Sequence, residues 1–196
     1  MSAHSAYEDL MALLRSRHSC RNFAPEPLDA QAQASLREAF SLAPQAGGGR
    51  KLTCSFVTGQ TRIRELAESG AAAFAARCET ISSGFIREEM SRYGENFFWF
   101  AQAPTLAVIT CQSHPAFLDK SMESKAALAW GGELSGAMAS FALLLAAESL
   151  GLGACCLTGP LTVWREMETR LGIPKRESLV LLVALGYKTD TPKDNT

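Results

Sequence analysis

Apolar positions recur at helical spacing near the start of the chain, where Tyr7, Leu10, Met11, Leu13 and Leu14 mark one side of a helix reaching Arg17. Pro25 and Pro27 forbid its continuation past Phe23. Asp29 is a good N-cap for a second helix, with Leu36, Ala39, Phe40 and Ala43 on one face and Pro44 as its stop. Gly47-Gly48-Gly49 then makes a loop before a short strand at Ser55-Phe56-Val57. Residues 62–100 read as helical, first alanine-rich and charged, then aromatic at Phe97-Phe98-Trp99-Phe100, without legible boundaries.

The second half is clearer. Thr105 to Cys111 is a continuous, partly β-branched apolar run, the pattern of a strand buried on both faces. Lys120 to Leu150 contains a long helix stopped by Gly151. Between Ala137 and Ala147 it is apolar nearly all round, which predicts burial on most faces. Its apolar surface from Leu134 to Leu150 exceeds what one small domain covers, which predicts a dimer. Ala154 to Leu157 reads as a short strand, Val163 to Leu171 as a helix, and Leu179 to Leu185 as a second buried strand. Helices and strands interleave without a repeat or a linker, which predicts one α+β domain over residues 1–196. The polar tail after Tyr187 is expected to be extended.

Charge and composition narrow the class. With 19 Lys+Arg against 20 Asp+Glu in 196 residues, there is no basic excess of the kind that nucleic-acid binders carry. The longest apolar run, Phe141 to Ala147, is far too short for a membrane span. The N-terminus has no basic segment leading into an apolar one, so a cytoplasmic protein is expected. Cys20, Cys54, Cys78 and Cys111 are scattered and Cys155-Cys156 adjacent; with no CxxC and only His4, His18 and His114, no metal spacing is present. The cysteines read as small apolar side chains.

Most chemical motifs fail on context. Gly151-Leu152-Gly153 follows a helix and has Cys156 in the third glycine position of a dinucleotide fingerprint. The stretch from Gly47 to Thr53 lacks the spacing of a P-loop. No GxSxG or HExxH occurs, and His114 sits before Pro115 in a polar stretch, so any redox or transfer chemistry falls to a cofactor. Arg17-His18-Ser19-Cys20-Arg21-Asn22-Phe23 stands apart. Two guanidiniums four residues apart, with a hydroxyl and an imidazole between them, suit a phosphate group. The same residues also suit a solvated helix end, where cations favour the dipole.

That string resembles the opening motif of the nitroreductase family of flavoproteins. Glu38 to Pro44 resembles the family's helix ending in Ala-Pro, and Ala103-Pro104 its Ala-Pro before a central strand. Leu144 to Gly153 resembles its Leu-Leu-Ala-Ala-x-x-Leu-Gly-Leu-Gly helix end, and Val183 to Tyr187 its closing strand. The resemblance implies an α/β sandwich with a mostly antiparallel central sheet flanked by helices, in an intertwined homodimer with FMN at the interface. By the same resemblance Arg17, His18 and Ser19 hold the phosphate and ribityl chain, and Arg21 lies at the flavin ring edge. Pro44, Gln45, Ala46 and Gly48 of the partner subunit pack on the ring, and Cys156, Leu157, Thr158 and Gly159 face it near N5. Lys193 in the tail completes the phosphate site.

Family members take electrons from NAD(P)H and pass them to a small acceptor, such as a nitroaromatic or a quinone, in a ping-pong sequence. No metal and no group of the protein acting as acid or base is required. This chain departs from the family loop Pro-Ser-x-x-Asn-x-Gln-Pro-Trp, with Gly48, Arg50, Lys51 and Leu52 at the last four specified positions, and with Thr158 where Glu is common. Those departures leave two other readings: a flavin binder with little turnover, and a form specialised for a bulky ligand such as a peptide or a flavin. If Arg50 and Lys51 face the site, they favour an anionic acceptor.

Overall fold

The computed structural model describes residues 3–45, 52–112 and 125–189. Helix α1 (Ala3–Ser16) is followed by α2 (Ala30–Ser41), which opens as its sequence dictates: the Asp29 carboxylate accepts the Ala32 N–H at 2.7 Å. Helix α2 stops at Ser41, ahead of Pro44. Next come β1 (Leu52–Thr58), longer than the three residues expected, then α3 (Gln60–Glu79) and α4 (Gly84–Gly94) in the stretch whose boundaries the pattern hid. A 3-10 turn (Trp99–Gln102) leads into β2 (Thr105–Gln112). Helix α5 (Lys125–Ser149) ends where predicted, with Gly151 at a φ of 71°; residues 120–124 lie outside the described ones. After β3 (Leu152–Leu157), a 3-10 turn (Gly159–Val163) takes up the start of the predicted helix, so that α6 spans Trp164–Leu171. Strand β4 (Glu177–Tyr187) is the last element of the described chain.

The four strands form one sheet in the order β1-β2-β4-β3, every pair antiparallel. Alternate residues face two separate cores. On one face Val57, Leu106, Val108, Leu157, Leu182 and Ala184 pack with Ile63, Leu66 and Phe74 of α3 and Met167 of α6. On the other, Cys54, Ala107, Ile109, Ala154, Val183 and Leu185 pack with Leu36 and Phe40 of α2 and Ala139, Leu143 and Ala147 of α5. Strands β2 and β4 are therefore covered twice, which is why they read as unbroken apolar runs. Cys20, Cys54, Cys78, Cys111 and Cys155 are buried, in keeping with their reading as apolar fillers.

Among the described side chains of helix α5 one stripe is buried within the chain, while Leu134, Met138 and Phe141 are 61%, 45% and 46% exposed. A helix laid against one sheet face offers only one side to it, however apolar the rest. The buried stripe is small because the backbone sits close: a Cβ on Gly136 would stand 2.5 Å from Val180 Cγ1. No described helix is long and apolar enough to cross a membrane.

The chain between α1 and α2 is stitched to the sheet. Ser19 bridges Ala154 in parallel, the Cys20 N–H donates to the Ala154 carbonyl at 3.0 Å, and the Ala24 N–H donates to that of Tyr187 at 2.9 Å. Glycine makes room for it: a Cβ on Gly153 would lie 2.6 Å from Cys20 Sγ and 3.0 Å from the Phe23 ring, and one on Gly186 2.8 Å from Phe23 Cβ. Gly153→Ala is expected to lower stability by about 1–3 kcal/mol, the usual range for overpacking. Adding Cys20→Ala should return part of that loss in urea unfolding; a purely additive pair would show that the two sites do not share this space.

Candidate functional site

Helix α1 delivers the Arg17–Arg21 segment to the β3 edge. Its last turn closes with the Arg17 N–H donating to the Leu13 carbonyl at 3.1 Å, and the Ser16 hydroxyl donates to the same oxygen at 3.1 Å. His18 Nδ1 lies 3.0 Å from the Ser16 carbonyl, which can only accept, so that nitrogen donates. Arg17 is half-buried, while His18, Ser19 and Arg21 are exposed. Neither Arg17 nor Arg21 makes an ion pair with a described carboxylate.

The thiols beyond the edge register these cations. Burial pushes the Cys155 thiol up, against the pull of the Arg21 charge, the Ser19 hydroxyl and Arg17. Cys156 is pushed up to about 11 by burial and by Cys155, with Arg17 pulling the other way. Such thiols are protonated and unreactive near neutrality. Arg17, Ser19, Arg21 and the Cys155-Cys156 pair thus form one neighbourhood. The Arg21 guanidinium also stands 5.9 Å from the centroid of Trp99, on which Phe23 stacks at 6.4 Å, and it lines a cavity of about 390 Å³ with Asn22, Phe23, Gln60 and Gln102.

The other expected residues divide. Leu157 is 3% exposed and belongs to the core, so only its backbone is available. Thr158 is exposed and leads into the 3-10 turn that starts at Gly159. Gly159 has a packing reason of its own, since a Cβ there would stand 2.5 Å from Phe97 Cγ. Pro44 and Gln45 are exposed and follow an α2 whose Arg37 donates to the Cys54 carbonyl at 3.4 Å and lies over Phe56, both on β1. Strand β1 is the edge opposite β3. The two groups of expected residues therefore lie toward opposite edges of the sheet. Ala46, Gly48, Arg50, Lys51 and Lys193 lie outside the described residues.

Sequence reasoning missed a charge pair at this place. Lys188 Nζ donates to Glu148 Oε2 at 2.9 Å. Burial would raise the Glu148 carboxyl, but the hydrogen bond and charge of Lys188, with the nearby Ser16 hydroxyl and the His18 charge, hold it below its usual range. The signal was present, for Glu148 is the one charged residue between Ser135 and Gly153.

A model of the nitroreductase family matches residues 14–187, and the chain belongs to that family. Among solved structures it is similar to a nitroreductase with bound FMN from Bacteroides fragilis, at 24% identity and a TM-score of 0.68, over 95% of this chain and 93% of the other. A BluB-like flavoprotein from Clostridium difficile superposes with a TM-score of 0.76 at 19% identity, over 95% and 93%. An NADPH:FMN oxidoreductase from Vibrio harveyi, complexed with NAD+, gives 0.65 at 17% identity, over 95% and 71%. No curated protein matches the sequence.

A lowered carboxyl makes its contribution to stability above its ordinary value, 4.5 for Glu148, and loses it as pH falls through the lower folded value. Glu148→Gln is therefore expected to lower stability at neutral pH and to flatten the acid side of the stability curve. Urea midpoints collected over about pH 3 to 7 check this; an unaltered acid limb would show that Glu148 titrates alike folded and unfolded.

Proposed function

We propose that this chain is an FMN-dependent oxidoreductase, a single domain working as a homodimer, that takes electrons from NAD(P)H and passes them to a small acceptor such as a nitroaromatic or a quinone. The observation that carries the reading is the half-buried Arg17, with no described carboxylate partner, beside the exposed Ser19 hydroxyl on a segment pinned to the β3 edge. A guanidinium and a hydroxyl held on fixed backbone are a donor set that fits a phosphate. FMN, when bound, supplies the two-electron redox chemistry that no side chain here provides.

This chain's residues bind and orient. Arg17, His18 and Ser19 hold the phosphate end, and Arg21 brings a positive charge to the ring edge where negative charge develops. Backbone groups from Cys156 through Gly159 face the ring. Pro44, Gln45, Ala46 and Gly48 come from the second copy, a division that the opposite-edge placement of Pro44 and Gln45 supports. The exposed Leu134, Met138 and Phe141 of α5 supply an apolar face for that second copy. The NAD+ complex of the Vibrio harveyi protein supports a nicotinamide donor.

The purified protein is expected to be yellow, to release FMN on denaturation and to bleach with NADH or NADPH; a colourless protein that takes up no FMN would end this reading. Arg17→Ala should weaken FMN about ten- to a hundredfold, with little change for riboflavin. Equal losses for both flavins would mean that Arg17 acts through folding. Light scattering should give a dimer in wild type and a monomer for the Met138→Asp, Phe141→Asp double variant; a monomeric wild type would refute the second copy's part.

A further inference from the structure

A cavity of about 390 Å³ opens where β1 leaves the sheet and β2 enters it, beside the segment that carries Arg21. Three carboxamides from three elements line it. Asn22 lies on the segment that the Ala24–Tyr187 hydrogen bond holds to β4, Gln60 is the first residue of α3, and Gln102 ends the 3-10 turn before β2. Main-chain geometry places all three. Thr58 pairs with Thr105 across the two strands, and Gly59, at a φ of 97°, makes the sharp turn that starts α3. None of the three carboxamides makes a hydrogen bond with another described residue. Phe23 adds an aromatic wall and Arg21 a cation, held 5.9 Å from the Trp99 centroid. No described carboxylate lines the space.

We propose that this cavity is a subsite for the adenosine half of the nicotinamide donor, with the carboxamides of Asn22, Gln60 and Gln102 recognising the base. The proposal rests on the flavin and nicotinamide reading above, and Arg21 is the residue common to the cavity and the ring edge. A carboxamide carries a donor and an acceptor side by side, the complement of the adjacent N6 donor and N7 acceptor of adenine. An aromatic wall and a guanidinium suit the flat face of a base. The volume falls in the lower part of the range of about 300–1,000 Å³ that small-molecule sites occupy, so it admits a nucleoside and not a whole dinucleotide. Two other cavities fit less well. One of about 500 Å³ is flanked by Glu133 and Glu168, whose charges repel phosphates, and one of about 220 Å³ beside Arg62 and Arg170 lies below that range. Contacts to a part of the donor that does not react hold ground state and transition state alike, so they lower KM and leave kcat unchanged.

The test compares two donors on the FMN-loaded protein with a quinone acceptor: NADH, and reduced nicotinamide mononucleotide, which lacks the adenosine half. The Gln60→Leu, Gln102→Leu double variant should raise KM for NADH about tenfold, with kcat and both constants for the shorter donor within about twofold. A misfolded site would harm both donors alike. Calorimetric titration of the FMN-loaded wild type should show adenosine 5′-monophosphate binding about tenfold tighter than inosine 5′-monophosphate, whose base has an acceptor in place of the N6 donor. That preference should vanish in the double variant. Should the double variant fail to fold, the two nucleotides decide on wild type alone: the preference supports the proposal, and equal affinity overturns it. A KM raised equally for both donors, or unchanged for NADH, overturns it too. Reduction by neither donor would overturn the nicotinamide reading and this proposal together; reduction by both with the same KM in wild type overturns this proposal alone.

Discussion

The backbone hydrogen bonds that tie residues 19–24 to Ala154 and Tyr187 govern the arrangement of everything around the site. They fix the end of α1 against the β3 edge, and with it the height at which Arg17 and Ser19 stand. They also seat Phe23 over Gly153 and Gly186, against Trp99. Side chains at those two glycines would lift the segment off the sheet and leave its N–H groups without partners. A polar segment can be held this rigidly only because main-chain groups, rather than its long flexible side chains, make the attachment. The guanidiniums therefore hang from a fixed backbone.

The other half of the arrangement is the sheet, whose two faces carry separate cores. Each face dictates a different set of helices, and the strands shared by both, β2 and β4, contribute buried residues to each core. This division also separates roles along the chain. The α2–α5 side carries the exposed apolar stripe, and the α3–α6 side carries the aromatic cluster around Phe74, Phe97 and Phe98. Residues at opposite edges of such a sheet do not meet within one chain.

Much of this was legible in the sequence, and the gaps have physical causes. Asp29, Gly151 and the apolar run from Thr105 announced their elements, because caps and doubly covered strands are local signals. The α3–α4 stretch was not legible, since its alanines and charges fit either face of a helix and the break at Thr80–Ser83 carries no proline or glycine. Helix α5 was legible only in part, for hydrophobicity reports what a surface would bury and not what covers it. At the site, the Arg17–Arg21 string was readable because its spacing is local. The Glu148–Lys188 pair was not, because only the packing of α5 against the end of β4 brings together residues forty positions apart.

Helix α4 stands outside both layers. It packs chiefly on α3, through Met90 and the contact of Gly94 with Phe74, while Phe85, Ile86 and Tyr93 remain exposed at 75%, 51% and 71%. Little apolar area is surrendered when such a helix detaches, whereas opening β2 or β4 breaks both cores at once. Native-state exchange of backbone amides should therefore divide into tiers, with α4 opening far below the global unfolding free energy and the central strands only with it. The protein thus carries a segment that can loosen and re-form beside the aromatic cluster without disturbing the strand to which Arg17 is anchored.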